Sequence, residues 1–173
     1  MGRARVILPS VMTRIALLSD SHDQVVRLGS VVKVLQGRGI GTAIHCGDIT
    51  SPRAVEALSG LTVHWVFGNC DFDREGLRAA MAGCGHVCHG LRGELAMGGR
   101  RLAFTHGDRA QLLSALIASP GFDVVLHGHT HVRRDDLNNG VRVVCPGALA
   151  HAAPLGFAIL ELPTLDLEWI DLE

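Results

Sequence analysis

The sequence predicts an α/β protein in which two packed β-sheets are flanked by helices. In the first half of the chain, short apolar runs alternate with segments of helical periodicity. After about His86, strand patterns joined by glycine-containing turns take over. No repeat, low-complexity tract or Pro/Ser-rich linker interrupts the 173 residues, so we expect a single domain over residues 1–173.

The first half is predicted to contain three strand-loop-helix units. Ser51 is the expected N-cap of the second helix, because Pro52 then occupies the first helical position. The apolar runs predict strands at 14–18, 42–45 and 62–67, and the helical patterns predict helices at 24–38, from Ser51 onward, and at 75–82.

The second half is predicted to consist mainly of hairpins. Gly98-Gly99 and Asn138-Asn139-Gly140 are turn sequences that close antiparallel pairs. One helix, at 109–118, interrupts the strands. The predicted strands are 94–97, 101–105, 124–127, 132–137, 141–144, 157–162 and 167–170.

Composition excludes several classes of protein. No apolar run approaches the roughly 20 residues that span a bilayer, and residues 1–13 lack a secretory signal core, so we expect a cytoplasmic protein without a membrane segment. The 16 basic and 17 acidic residues give a net charge of -1, which argues against dedicated nucleic-acid binding. Five cysteines without a secretion signal indicate reduced thiols. Met12 precedes the first strand, and we interpret residues 1–12 as an extension outside the core.

Seven polar side chains stand where predicted strands end. They are Asp20, His22, Asp48, Asn69, His106, His129 and His131. Loops that follow parallel strands gather at one edge of a sheet, so we expect these side chains to converge. Carboxylate, imidazole and amide ligands suit Mn, Fe, Zn or Mg, and seven ligands fit two ions that share one carboxylate.

The same residues resemble the five ordered motifs of the calcineurin-like metallophosphoesterases. The motifs are Asp20-Ser21-His22, Gly47-Asp48, Gly68-Asn69-Cys70-Asp71, Thr105-His106-Gly107 and Gly128-His129-Thr130-His131. The resemblance spans residues 13–146, and Gly-Asn-Cys-Asp resembles the small bacterial and archaeal phosphodiesterases of that superfamily. It implies a four-layer α/β/β/α sandwich of two mixed sheets.

The resemblance also implies how the site is organised. One ion would be held by Asp20, His22, Asp48 and His131, and the other by Asp48, Asn69, His106 and His129, with Asp48 as the bridge. The implied cofactors are two divalent ions, with Mn²⁺ preferred over Fe, Zn, Ni, Co or Mg. A metal-bridging hydroxide would attack phosphorus in line, and the implied catalytic residues are Asp48, Asn69, Asp71 and His22.

Two neighbouring residues carry separate hypotheses. Many relatives have histidine where Cys70 stands, and a thiol is a poorer acid at neutral pH, so we expect a preference for esters with good leaving groups. Asp71 is a candidate to orient a histidine such as His22.

Other polar residues are ambiguous or structural in the sequence. His127 either joins the site or is a hydrogen-bonded residue at a strand end. His45 and His64 are interpreted as structural, and the tract from Cys84 to His89 lacks a second ligand pair at zinc spacing. Three arginines are candidates to bind substrate phosphate, with solvated surface charge as the alternative: Arg109, Arg133 and Arg134.

These observations favour a binuclear metal-dependent phosphodiesterase or phosphatase acting on a small phosphate ester. A nucleotidase or dinucleotide polyphosphate hydrolase is the second enzyme hypothesis. The presence of Cys70 instead of a histidine at this position counts against it. A protein-interaction scaffold of the same fold is the non-catalytic alternative, as in the retromer's small subunit. The resemblance also implies a homodimer or larger assembly.

Overall fold

The computed structural model describes residues 12–172, so the predicted extension lies outside the described residues except for Met12. The four helices of this part of the chain are α1 Val25–Gly37, α2 Pro52–Glu56, α3 Arg74–Gly83 and α4 Ala110–Ala118. Its strands are β1 Thr13–Leu18, β2 Thr42–His45, β3 Thr62–Trp65, β4 Val87–Cys88, β5 Arg92–Met97, β6 Arg100–Thr105, β7 Val124–Leu126, β8 Arg134–Asn138, β9 Val141–Cys145, β10 Gly156–Leu162 and β11 Leu167–Asp171.

The strands form two mixed sheets, as predicted. The first sheet has the order β11-β10-β1-β2-β3-β4, and β1, β2, β3 and β4 run parallel within it. The second sheet has the order β5-β6-β7-β9-β8, and β6, β7 and β9 run parallel. In the first sheet, antiparallel β10 and β11 lie beside β1, and in the second sheet antiparallel β5 and β8 flank the parallel strands on both sides. The carboxyl ends of the parallel strands are therefore the places where loops can meet.

The alternation of side chains along β1 shows how the layers pack. Ile15 and Leu17 lie in a buried cluster with residues of the second sheet such as Phe104 and Leu126. Ala16 and Leu18 point the other way, into a cluster that contains the buried faces of α1, α2 and α3. A smaller cluster joins Val125 of β7 to Leu116 of α4. The layers are thus helices, first sheet, second sheet and helix, which is the predicted α/β/β/α sandwich.

Local sequence signals for turns and caps agree with the structure. Asn139 and Gly140 have φ of 52° and 82°, and Gly98 and Gly99 have φ of 54° and 77°, as expected for the turns of two-residue hairpins. Ser51 caps α2 by accepting a hydrogen bond from the Ala54 N–H at 3.3 Å.

Several predicted element boundaries differ from the structure. The predicted strand at 62–67 ends at Trp65, and the one at 124–127 ends at Leu126, because the chain then turns into loops that carry polar side chains. The strand predicted at 132–137 instead occupies Arg134–Asn138. The two-residue strand β4 was not predicted, since so short a segment has no detectable alternation. Within residues 12–172, no helix is long and apolar enough to cross a membrane.

Candidate metal centre

The loops that follow five parallel strands are tied together by backbone hydrogen bonds. The Asp20 N–H donates to the Gly47 carbonyl and the His22 N–H to the Asp48 carbonyl, both at 3.0 Å. In the second sheet, the Gly128 N–H donates to the His106 carbonyl at 2.7 Å. These bonds bring the polar side chains of each sheet to one edge.

A hydrogen bond between His129 and Asp20 helps to connect the two halves of the site. The His129 N–H, which follows β7 in the second sheet, donates to Asp20 Oδ2, which follows β1 in the first sheet, at 3.0 Å. Gly128 permits this approach, because a Cβ at that position would overlap Ser19 Oγ. The loops of the two sheets that carry the sequence-predicted ligands therefore meet at this point.

The carboxylate of Asp48 lies between two histidines. Its Oδ2 is 3.4 Å from His106 Nε2 and 3.8 Å from His22 Nε2. Its Oδ1 accepts a hydrogen bond from the Cys70 N–H at 2.8 Å. One oxygen is thus fixed by the backbone while the other faces two imidazole nitrogens, which is suitable for a carboxylate that contacts two cations.

The imidazole of His106 presents a lone pair to other electron-rich atoms. Its Nδ1 lies 2.7 Å from the Cys46 carbonyl and donates to it, so in the neutral ring Nε2 carries no proton. That Nε2 is 3.0 Å from Asn69 Oδ1 and 3.4 Å from Asp48 Oδ2. These three atoms repel one another unless a cation or a proton lies among them.

A second group of atoms surrounds Asp20. Its Oδ1 lies 3.3 Å from His131 Nε2, and ligand atoms of Asp20, His22 and His131 all fall within 4.8 Å of one another. Asp20, Asp48 and His106 form another such group within the same limit. The two groups share Asp20, so the cluster is continuous. His129 joins it through its ring, whose centroid is 5.1 Å from that of His106.

Two buried atoms of this cluster lack hydrogen-bond partners. They are Asp20 Oδ1 and His22 Nε2, and both point toward the other ligand atoms. A buried polar atom without a partner costs free energy that a bound ion recovers. The donor set consists of carboxylate, imidazole and amide oxygen, which are the ligands of divalent cations such as Mn²⁺. The residues present therefore fit divalent metal.

The backbone of these loops is unusual. Five of the seven predicted ligands have positive φ although none is glycine, namely Asp20 at 51°, His22 at 40°, Asp48 at 59°, His129 at 68° and His131 at 58°. The left-handed region costs non-glycine residues free energy, and it persists where surrounding contacts impose it. Such residues cluster at functional sites, and here they aim their side chains at a common point.

The electrostatics favour positive charge at this point. Burial raises the pKa of Asp20. Burial also acts to raise the pKa of Asp48, but the hydrogen bonds with His106 and with the Cys70 amide outweigh it and hold the pKa below its usual value. For His106, burial opposes protonation, yet the carboxylates of Asp48 and Asp20 raise its pKa to about 9. The cluster therefore binds a proton strongly when it holds no metal.

Asp71 is a positioning residue. Its Oδ2 accepts hydrogen bonds from the N–H groups of Asp48 and Gly68 at 2.9 and 2.7 Å. Its Oδ1 accepts from Ile49 and Thr50, both at 2.9 Å. The sequence offered two other roles, catalysis and orientation of a histidine such as His22. The structure corrects the second role, because the two oxygens are occupied by four backbone amides of the loops that carry Asp48 and Asn69 and contact no histidine. The catalytic role stays a prediction.

Cys70 lies at the edge of the cluster. Its Sγ falls within 4.8 Å of ligand atoms of His22 and Asp48, and the Asn69 amide donates to it at 3.3 Å. Burial, together with the neighbouring Asp48 carboxylate, raises the pKa of the Cys70 thiol to about 11. The thiol is therefore protonated at neutral pH and is a weak acid.

Sequence reasoning missed His151, which follows β9 at some distance. Its ring centroid is 5.5 Å from that of His22 and 6.4 Å from that of His131, and its carbonyl lies 3.3 Å from His131 Nδ1. A histidine with a φ of 53° beside two ligand positions lies at the rim of the site. No spacing in the sequence singles it out, because His151 stands six residues after the end of β9.

The remaining ambiguous histidines have structural partners. His45 Nδ1 accepts from the Gly47 N–H at 3.2 Å and its Nε2 lies 3.0 Å from Ser21 Oγ, so it supports the loops from behind. His127 is buried, with Nδ1 3.0 Å from the Gly128 carbonyl. Among the described residues, it belongs to none of the groups whose ligand atoms lie within 4.8 Å of one another. His64 lies against His89, with 3.0 Å between Nδ1 and Nε2.

The Cys84–His89 tract likewise contributes to no such group of potential metal ligands within residues 12–172. His86 Nδ1 accepts from Trp65 Nε1 at 3.1 Å, and Cys88 Sγ accepts from Arg78 at 3.3 Å. The five cysteines are free thiols, as expected.

Comparison with known proteins identifies similar sequences. The sequence profile of the calcineurin-like phosphoesterase superfamily domain matches residues 13–164. The phosphodiesterase MJ0936 of Methanocaldococcus jannaschii is 27% identical over 138 residues, which cover 78% of this chain and 82% of that protein. The probable metallophosphoesterase YsnB of Bacillus subtilis is 26% identical over 143 residues, covering 78% of this chain and 74% of that protein.

Comparison with solved structures shows the same fold. A structure described as a novel archaeal phosphodiesterase superposes with a TM-score of 0.86 at 24% identity, over 92% of this chain and 100% of that chain. At this level of identity the likeness establishes the architecture, in which the loops described above carry the candidate ligands.

Proposed function

Because the chain belongs to the calcineurin-like phosphoesterase superfamily, we propose that it hydrolyses phosphodiesters of small molecules with the help of two divalent cations. The family assignment, the phosphodiesterase relatives and the convergent candidate ligands support a metal-dependent phosphodiesterase. One observation carries the proposal furthest: Asp48 Oδ2 lies between His106 Nε2 and His22 Nε2, at 3.4 and 3.8 Å.

The proposed ligand sets follow the two sides of Asp48. Asp20, His22, Asp48 and His131 hold one cation, and the distances among Asp20, His22 and His131 support this set. The second set is Asp48, Asn69, His106 and His129, and the approach of Asn69 Oδ1 to His106 Nε2 supports it. Mn²⁺ is the proposed metal, with Fe, Zn, Ni, Co and Mg as the alternatives, because carboxylate and amide oxygens suit Mn²⁺ and no thiolate is in either set.

The residues of the site have different proposed roles in the reaction. When bound, two divalent cations activate water as the nucleophile and offset the negative charge that grows on the phosphoryl oxygens. Asp48 and Asp20 supply the negative charge that retains the cations. Asp71 keeps the Asp48 loop in place, and the Asn69 side-chain N–H groups face Cys70 at the rim, where an ester oxygen can accept from them.

The decisive experiment compares a chromogenic diester with its monoester. Metal-stripped protein is assayed with bis(p-nitrophenyl) phosphate and p-nitrophenyl phosphate before and after Mn²⁺ is restored. We expect diester turnover that requires the metal and falls more than about a hundredfold in Asp48→Asn. Asp136→Asn is the matched control, because this exposed aspartate pairs with Arg134 on β8.

The possible outcomes separate the competing functions. Turnover without metal, or unchanged turnover in Asp48→Asn, would contradict the proposal. Absence of turnover with any divalent cation, in protein that nevertheless binds the cation, would favour the interaction scaffold. Faster hydrolysis of the monoester than of the diester would favour the nucleotidase or phosphatase alternative.

The partners and location of the protein belong to the same proposal. A small phosphate ester is the proposed substrate, and we retain the hypotheses of a homodimer or larger assembly, of no dedicated nucleic-acid binding and of a cytoplasmic location. The balanced charge supports the exclusion of nucleic acid.

A further inference from the structure

One of the three candidate phosphate-binding arginines makes no ion pair with the described residues. The guanidinium of Arg133 pairs with Asp171 and lies over the Trp169 ring, and that of Arg134 pairs with Asp136 at 3.0 Å. Arg109 is exposed and makes no ion pair or side-chain hydrogen bond with any residue between 12 and 172. An arginine without a partner can bind an anion without first losing an ion pair.

Arg109 lines a cavity of about 760 Å³ between the start of β5 and the start of α4. The wall consists of Leu91, Arg92, Arg109, Ala110, Gln111 and Leu112. Two guanidinium groups and two leucine side chains therefore face the same space, and no carboxylate lines it. Arg92 is partly neutralised by Glu94, 2.9 Å away, so Arg109 supplies the free positive charge.

The cavity adjoins the metal centre through the end of β6. Thr105 Oγ1 donates a hydrogen bond to the carbonyl of Leu91, a wall residue, at 3.0 Å, and the next residue in the chain is the candidate ligand His106. Arg109 follows His106 by three positions, a separation that extended chain spans with at most about 11 Å. The cavity therefore lies within a few residues of the candidate centre along this loop, and the His106 ring itself is fully buried.

We propose that this cavity binds the part of the substrate that does not react, and that this part carries a second anionic group. The inference rests on the proposed phosphodiesterase activity and specifies its substrate class: a phosphodiester whose second alcohol bears a carboxylate or phosphate at its far end. Its aliphatic portion packs on Leu91 and Leu112, and Arg109 binds the anion, for which a planar guanidinium offers two parallel donors.

The first turn of α4 is consistent with an anion at this end of the cavity. It contains no acidic side chain, and its N-cap, Arg109, makes no side-chain capping bond. A carboxylate there would compete for the guanidinium, and none is present among the wall residues.

Three p-nitrophenyl diesters of equal length test the proposal. Their second alcohol is an aliphatic chain that ends in a methyl group, a carboxylate or an ammonium group. In the Mn²⁺-loaded wild-type protein we expect kcat/KM to be about tenfold higher for the carboxylate ester than for the methyl ester, and lowest for the ammonium ester. A tenfold ratio corresponds to the lower end of the free energy of a hydrogen bond to a charged group. Arg109→Gln should abolish this ratio, and Arg109→Lys should retain part of it.

Arg38→Gln is the matched control, because Arg38 pairs with Glu168 on β11 and does not line the cavity. The control should keep the wild-type ratio. An equal rate for the carboxylate and methyl esters in wild-type protein, or an unchanged ratio in Arg109→Gln, overturns the proposal while the phosphodiesterase activity stands.

Failure of the proposed function is recognised separately. If the wild-type protein hydrolyses none of the three esters, calorimetric titration of the same esters into metal-loaded protein tests the cavity by itself. Tighter binding of the carboxylate ester that is lost in Arg109→Gln supports the anion site, and equal affinities overturn it.

Discussion

The carboxylate of Asp71 fixes the backbone of Asp48, which precedes it by 23 residues. The Asp48 N–H donates to Asp71 Oδ2 at 2.9 Å, and the same oxygen accepts from Gly68 at 2.7 Å. Gly68 lets the two loops meet, because a Cβ there would overlap the Asp48 carboxylate. The position of the proposed bridging ligand therefore depends on a residue that is not itself a ligand.

Replacement of Asp71 by asparagine should affect both stability and metal binding. The side-chain NH₂ group of asparagine would face backbone donors, so two of the four hydrogen bonds are lost and the free energy of unfolding should fall by about 2 kcal/mol or more. Affinity for Mn²⁺ should fall by roughly 10- to 100-fold, as for other residues that support a ligand. Urea unfolding in chelator and metal titration measure the two effects.

Asp73→Asn is the control for this prediction. Asp73 caps α3 by accepting from the Gly76 N–H at 3.0 Å, a role that asparagine performs equally well. Equal behaviour of the two variants would contradict the positioning role of Asp71.

Removal of divalent metal should lower the thermal stability. Asp20 Oδ1 and His22 Nε2 are buried without hydrogen-bond partners, so bound cations stabilise the folded state. At a metal concentration about 1,000 times the Kd, we expect Tm to rise by about 10 °C relative to chelator-treated protein, as followed by calorimetry. Asp20→Asn should reduce this shift, and a Tm indifferent to both metal and chelator would exclude a metal centre here.

Protonation of His45 should destabilise the protein in acid. Burial lowers the pKa of His45 to about 3, against 6.5 for an unperturbed histidine, because Nδ1 must accept from the Gly47 N–H and the ring has no access to water. The unfolded chain therefore binds a proton that the folded protein does not, and stability present above 6.5 is lost as the pH falls from 6.5 toward 3.

The effect of His45 can be isolated by substitution. In chelator, wild-type protein should lose about 2 kcal/mol more unfolding free energy than His45→Gln between about pH 7.5 and about pH 5. Glutamine provides an acceptor for Gly47 and a donor for Ser21 without a titrating group. Parallel pH profiles for the two proteins would show that His45 does not contribute.

The weak acidity of Cys70 predicts how rate depends on the leaving group. A thiol with a pKa raised to about 11 transfers a proton poorly, so wild-type kcat/KM should fall steeply as the leaving-group pKa increases. Cys70→His should flatten this dependence and raise the rate for poor leaving groups about tenfold or more. A series of substituted phenyl diesters measures the slope of log kcat/KM against leaving-group pKa, and Cys70→Ser serves as the control. Identical slopes for the wild-type and Cys70→His proteins would contradict the hypothesis.

Local sequence patterns predicted the elements that have a local cause. A short apolar run predicted β1, and Asn139-Gly140 and Gly98-Gly99 predicted hairpin turns, in which both residues of each pair adopt positive φ. The interpretation of His45 as structural follows from its place inside a strand. By contrast, β4 contains two residues and no pattern, and its pairing with β3 depends on the packed sheet.

The sequence by itself determined which residue types stand after each strand, and therefore which chemistry the chain can perform. Only the tertiary structure decided which of them meet. Asp20 and the His129 N–H are 109 residues apart, and their contact requires both sheets to be packed with their loops at the same end. The role of Asp71, the approach of His151 to His22, and the free guanidinium of Arg109 beside an open cavity have the same origin. Contacts between distant segments depend on the packing of whole layers, and no local pattern of residues encodes them.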